Sequence, residues 1–339
     1  MNTDFPFTLS FILCVLAGGS IFINGWTDAV NAIATCVGSG ALSFRKAAFL
    51  AAVFNFFGVL SAALLGNRAS RQIYGIITPQ ENPQLEILIL CASLIAVILW
   101  GAATWWVGIP SSESHALVAG ISGAAVSLSF SALDFSNWIL TIGGMAAALL
   151  AGFVSGSLTL SLLGKIWRGK GRAASLRIGQ IAAAALMAFA HGAQDGQKFI
   201  AAFLLGFSSL LPSHSAFSKC TSLLLLFLCA LLMACGTAVG GRRIVNTIGK
   251  ELVPLDMKKG FAADLAGGFS LFLLTFCGIP ASTTHAKVAA VIGVGFSPDK
   301  SGSFNRPLLF ELFCAWLITF PVCGLLGYSL CSFLRIAFC

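Results

Sequence analysis

Gly25-Trp26-Thr27-Asp28-Ala29-Val30-Asn31 and Gly192-Ala193-Gln194-Asp195-Gly196-Gln197-Lys198 each set an acid three residues after a glycine in a largely apolar chain. A second pattern follows each of them: Ile109-Pro110-Ser111-Ser112-Glu113-Ser114-His115 after the first, Ile279-Pro280-Ala281-Ser282-Thr283-Thr284-His285 after the second. Asp28 to His115 is 87 residues and Asp195 to His285 is 90. Unrelated motifs do not keep a common spacing by chance, so the chain reads as two copies of one unit. The copies are residues 1–165 and 178–339, joined by a basic cytoplasmic linker at 166–177.

Around these motifs, 58% of the 339 residues are hydrophobic and only 9% are charged. A soluble domain carries about a quarter charged residues, so most of this surface must face lipid. The expected fold is an all-α polytopic protein of the cell membrane, with a ceiling of about ten spans. The net charge of +8 has a local source. Lys165, Arg168, Lys170, Arg172 and Arg177 form one basic cluster, and Arg242, Arg243, Lys250, Lys258 and Lys259 a second. Such clusters mark cytoplasmic loops rather than a nucleic-acid surface. With both inside, 178–211 crosses once, 219–239 returns, and each half has an odd number of crossings. The second copy then enters from the opposite face, which makes an inverted repeat. The eleven cysteines lie mostly in apolar runs, with no CxxC, so no metal or cofactor is expected. The stretch 5–23 lacks a basic n-region and reads as a retained first span rather than a cleaved signal.

Backbone breaks are expected at Asn24 to Asp28, Gly108 to Ser111, Gly192 to Gly196 and Gly278 to Ser282. In lipid, breaks survive only when buried in protein or lining a cavity, so these four places are the first candidates for a site. The two Pro-Ser segments read equally as tips of re-entrant hairpins or as ends of full spans. Three of the four histidines, His115, His191 and His285, lie in the motifs with Asp28, Asp195 and Glu113. Ionisable groups at membrane depth cost about 2.5–3.5 kcal/mol each and mark pathways or sites. Half-helix ends offer N–H groups to a small oxyanion, and Ser111, Ser112, Ser114, Ser282, Thr283 and Thr284 add hydroxyls. That combination suits phosphate or sulfate. Two carboxylates beside a divalent anion repel it unless a cation intervenes or the anion brings a proton, and phosphate carries one where sulfate does not. Phosphate is therefore favoured, and the acids supply a place for H⁺ or Na⁺.

The segments GWTDAVNAIATCVGSGALSFRKA, AHGAQDGQKFIAAF, GIPSSESHALVAG and GIPASTTHAKVAA resemble the signature repeats of the inorganic phosphate transporter (PiT) family, over nearly the whole chain. The resemblance implies a symporter of inorganic phosphate coupled to H⁺ or Na⁺, working by alternating access at the junction of two inverted repeats. Asp28, Asn31 and Asp195 fall on the family's acidic and amide positions, and Ser112, Ser114, Ser282 and Thr284 on its hydroxyl positions. Lys198 departs from the Asn of many members and is similar to a bacterial form. Its ammonium can replace a bound cation, pair with Asp195 or hold a phosphate oxygen, which favours proton coupling or fewer sodium ions.

Together these readings give Thr27, Asp28, Asn31, Ser111, Ser112, Ser114, Gln194, Asp195, Lys198, Ser282, Thr283 and Thr284 as candidate substrate residues. Asp28, Asn31, Asp195 and Asp264 are candidates for the coupling ion, with Asp264 reading equally as a helix N-terminal acid. His115, His191 and His285 are expected to gate or support loops. Glu113 and Lys287 read as local substitutions, Asn55 as an interhelical hydrogen bond, and His214 as a solvated loop residue. A sulfate permease of the same fold is the alternative. A channel is a further one. More distant is an intramembrane serine protease, because Gly120-Ile121-Ser122-Gly123 resembles the rhomboid serine motif. The second copy, however, has Ala290-Val291-Ile292-Gly293 at the matching place. The partners expected are phosphate, the coupling ion and the lipid bilayer, with no nucleic acid; homo-oligomerisation is compatible with this reading.

Overall fold

The computed structural model describes residues 4–65, 68–80, 82–166, 173–210, 219–296 and 304–338. His214 and the linker residues Arg168, Lys170 and Arg172 lie outside the described residues. The first repeat comprises α1 (Asp4–Thr27), α2 (Ala34–Gly38), α3 (Phe44–Leu65), α4 (Arg68–Tyr74), α5 (Pro83–Val107), α6 (Glu113–Leu128) and α7 (Phe135–Ile166). The second comprises α8 (Ala173–Leu210), α9 (Lys219–Val239), α10 (Arg242–Asn246), α11 (Met257–Phe276), α12 (Thr283–Gly295) and α13 (Arg306–Phe338). Helix α8 thus begins inside the 166–177 stretch. One isolated bridge, Ile77 to Leu133, is the only extended pairing among the described residues.

Among the described residues, eight helical segments are long and apolar enough to cross a bilayer, four in each repeat. The surface is rich in large apolar side chains, and a set of polar and charged groups is buried within an otherwise hydrophobic interior. Phe49, Leu140, Phe310 and Ile336 are exposed, whereas Asp28, Asp195, Lys198 and Lys287 are buried, the distribution expected of a multi-pass integral membrane protein.

Helices α5–α6 and α11–α12 are hairpins with one local code. Gly108 (φ 85°) and Gly278 (φ 75°) end α5 and α11 in the left-handed region that favours glycine. Ile-Pro follows and prevents continuation, and then Ser112 and Ser282 cap the return helices by accepting from the N–H of His115 and His285. At 16 and 13 residues, α6 and α12 reach about 20–24 Å, short of a 30 Å hydrocarbon core. The two tips meet: Ser112 Oγ and Ser282 Oγ share a hydrogen bond of 2.8 Å. Each motif is thus a helical hairpin whose return arm is short and whose tip meets the other tip in the protein interior.

Two stretches differ from expectation. The break at Gly192 to Gly196 is absent, since α8 runs unbroken through both glycines. Their purpose is close packing: a Cβ on Gly192 would stand 2.3 Å from the Asn55 carbonyl oxygen of α3, and one on Gly196 would stand 3.2 Å from Val59 Cα. The corresponding acid of the first repeat does sit at a break, where α1 ends at Thr27 and a 3₁₀ turn runs over Ala29–Ile33. The second basic stretch is also not a plain loop. Helix α10 and a π-helical turn over Thr247–Glu251 dock beneath the first hairpin tip, where Thr247 Oγ1 donates to the Gly108 carbonyl at 2.9 Å.

Candidate functional site

The end of α1, the middle of α8 and the two hairpin tips converge on one buried polar centre. Asp28 Oδ1 accepts from Asn31 Nδ2 at 2.7 Å and from the Thr284 hydroxyl, and Oδ2 from Thr283 Oγ1 at 3.2 Å. On α8, Asp195 Oδ1 accepts from Lys198 Nζ at 2.5 Å, and Oδ2 from Asn24 Nδ2 at 2.9 Å. Thr283 Oγ1 is also 3.3 Å from Asp195 Oδ2, so one hydroxyl stands between the two acids. His191 Nε2 lies 3.4 Å from the same oxygen, while its Nδ1 meets Asn55 Oδ1 at 3.0 Å. One ligand atom each from Asp28, His191 and Asp195 falls within 4.8 Å of the others, a set of oxygen and nitrogen donors able to hold a cation.

Lys198 ties this centre together. Its ammonium donates to Asp195 Oδ1, to Ser114 Oγ at 2.5 Å and to the Ala281 carbonyl at 2.8 Å, joining α8 to both hairpins. An uncompensated charge in a dry interior costs several kcal/mol, and carboxylate, hydroxyl and carbonyl together satisfy the three donors of the ammonium.

The remaining expected residues surround this core. Ser111 Oγ shares a 2.8 Å hydrogen bond with Thr104 Oγ1, and its carbonyl accepts from Thr284. Gln194 holds the second tip in place: Nε2 donates to the Ile279 carbonyl at 3.3 Å and Oε1 accepts from Thr275 at 2.6 Å. His115 Nδ1 contacts Ser112 Oγ at 2.6 Å, and the His115 and His285 rings lie 4.3 Å apart, with His285 against Trp316 at 4.1 Å. Both imidazoles are thus part of the tip-to-tip packing.

Asp264 belongs to a second buried network. It accepts from Lys287 Nζ, from Thr35 Oγ1 at 2.5 Å and from Gln180 Nε2. Lys287 also donates to Thr35 Oγ1 at 2.8 Å. The sequence reading missed this pairing and treated Lys287 as bland. The available signal was physical: an ammonium in an apolar helix needs a carboxylate, and Asp264 is an acid outside the paired motifs that stands in the apolar run just before the second hairpin tip. Glu113, read from the sequence as a local substitution, is also part of the buried polar interior. It is 1% exposed, and its Oε1 accepts from the Thr27 hydroxyl. Asn24, which marked the start of the expected break but lies within α1, whose helix runs on to Thr27, was not singled out and bridges α1 to Asp195.

Comparison with known proteins agrees with this architecture. The model of the phosphate transporter family matches residues 24–176 and 169–327, one match for each repeat. A probable low-affinity inorganic phosphate transporter of Bacillus subtilis (strain 168) is 35% identical over 324 residues, covering 94% of this chain and 95% of the relative. One from Rhizobium meliloti (strain 1021) is 34% identical, covering 98% of each. Among solved structures, "The sodium-dependent phosphate transporter" superposes with a TM-score of 0.83 at 19% identity, covering 97% of this chain and 99% of that one, which shows a common fold. With a family match in each half, relatives aligned along almost its whole length and two hairpin-bearing repeats, the chain belongs to the phosphate transporter family.

Proposed function

We propose that this protein is a secondary active symporter that moves inorganic phosphate with H⁺ by alternating access. The carrying observation is the placement of Asp28 and Asp195 on either side of Thr283, at the meeting point of two hydroxyl-lined hairpin tips. Substrate contacts are assigned to Ser112, Ser114, Ser282, Thr283 and Thr284, with Thr27, Ser111, Gln194 and Asn31 ordering the acids and tips. Lys198 fills the cation position against Asp195 with its own ammonium, so that acid needs no soluble cation. The relatives' names support phosphate as the substrate. A protonated phosphate can donate to a carboxylate, whereas sulfate cannot, which favours the same choice.

In this scheme only a charge-balanced centre passes through the occluded state at tolerable cost. Labelled phosphate uptake into proteoliposomes, with Na⁺ replaced by choline and a pH gradient imposed, tests it. Saturable, gradient-driven accumulation is expected, with little competition from sulfate. Loss of uptake in choline would transfer the coupling role to Na⁺, and equal competition by sulfate would refute the substrate assignment.

A further inference from the structure

Four acids are buried among the described residues, Asp28, Glu113, Asp195 and Asp264, and they are not equally equipped to be charged. Asp28 has donors from Asn31, Thr283 and Thr284. Asp195 has Lys198 and Asn24, with the single proton of Thr283 shared between it and Asp28, and Asp264 has Lys287, Thr35 and Gln180. Glu113 has the Thr27 hydroxyl on Oε1 and the Asn24 amide beside it but no cation, and its Oε2 makes no hydrogen bond of good geometry among the described residues. An ionised carboxylate offers about four acceptor positions, and with Oε2 unpaired and no cation beside it Glu113 is the acid whose charge has the least support here.

Its surroundings point the same way. On α1 it faces Thr27 and the amide of Asn24, and on α5 the bare backbone of Gly101, where an added Cβ would stand 3.3 Å from Glu113 Oε1. The charged groups acting on it include Asp28 and Asp195, both acids. The nearby ammonium of Lys198 is committed to Asp195, Ser114 and Ala281. Of the imidazoles, His115 is bonded to Ser112 and His191 lies between Asn55 and Asp195, while His285 packs on Trp316 and His115 at the tip junction and makes no hydrogen bond or ion pair to an acid of the centre among the described residues. In the second repeat the equivalent position is Thr283, a neutral hydroxyl, so Glu113 adds an acid that the repeat symmetry does not require.

Thr27 supplies a path for the change of state. Its single hydroxyl proton has two acceptors, Glu113 Oε1 and the Ile23 carbonyl at 2.9 Å. With Glu113 ionised, Thr27 donates to the carboxylate. With Glu113 protonated, the new O–H donates to the Thr27 oxygen and Thr27 turns its proton to Ile23, so both states are hydrogen-bonded.

We infer that Glu113 is the proton-carrying group of the transport cycle, binding one H⁺ when phosphate binds and releasing it when phosphate leaves. This inference rests on the proton-coupled reading above. It takes a proton from water onto Glu113, and the charge change offsets the incoming anion without a soluble metal cation.

The test compares Glu113→Gln, which imitates the protonated acid, with wild type in proteoliposomes, reading two rates: phosphate accumulation driven by a pH gradient, and phosphate–phosphate exchange at equal pH. Glu113→Thr, which restores the residue of the second repeat, carries the test if the glutamine variant does not fold. The expected result is that the ratio of driven accumulation to exchange falls about tenfold in the variants while exchange persists. A wild-type ratio in either folded variant overturns the inference. So does loss of both rates together in folded protein, which would make Glu113 a support for the tip. Wild type that shows exchange but no response to the pH gradient overturns the parent reading instead.

Discussion

At the scale of single residues, the interior is organised by which charges have partners. Lys287 and Asp264 are both fully buried and satisfy each other, with Thr35 and Gln180 completing the set. Removing one member strands the other, and an uncompensated buried charge costs about 3–5 kcal/mol. Lys287→Met is expected to lower the thermal stability of the purified protein sharply, and the double variant Lys287→Met with Asp264→Asn to recover much of the loss. A single variant as stable as wild type would mean the pair does not hold the fold. This network was hardly legible in the sequence because Asp264 lies outside the paired motifs, 23 residues before Lys287, and no repeat partner marks either. Asp28 and Asp195 were legible for the opposite reason: the repeat presents each acid in the same setting twice.

At the scale of elements, the hairpins were the readable part of the chain. Glycine, Ile-Pro and then a serine specify, in order, a left-handed stop, a bar to continuation and a cap, and both tips follow that order. Helix α8 was not readable in the same way. Gly192 and Gly196 flank Asp195 as glycines would at a break, yet glycine also lets two helix backbones approach, and composition does not distinguish these uses. Here the approach to α3 decides. Substituting Gly192 with alanine gives opposite signs under the two accounts. A helix freed of an unpacked glycine gains roughly 0.5–1 kcal/mol, whereas a Cβ placed 2.3 Å from the Asn55 carbonyl forces the helices apart and costs about 1–3 kcal/mol. Gly192→Ala is expected to lower the melting temperature and to impair transport, through displacement of Asp195. A rise in melting temperature would show that α3 and α8 are not in this close contact.

At the scale of the whole molecule, the two repeats are packed into each other. The return arm of each hairpin lies on the last long helix of the other repeat. A Cβ on Gly123 of α6 would stand 1.9 Å from the Gly324 carbonyl of α13, and one on Gly152 of α7 would stand 2.4 Å from the Ala286 carbonyl of α12. The tips are thereby delivered to one point between α1 and α8, where each tip touches the other repeat's acid-bearing segment. Thr284 of the second tip bonds Asp28, and Ser114 of the first accepts from Lys198 beside Asp195. Each half-site is therefore built from both repeats, and a movement of one repeat against the other changes access to both acids together. The measurement that tests this most directly is concentrative uptake of labelled phosphate by wild type, Asp28→Asn and Asp195→Asn in matched proteoliposomes. Wild type should accumulate phosphate against its gradient, and each variant, although monodisperse and as abundant, should lose at least about tenfold in rate. Accumulation at the wild-type rate by either variant would contradict a transport site built on these two acids.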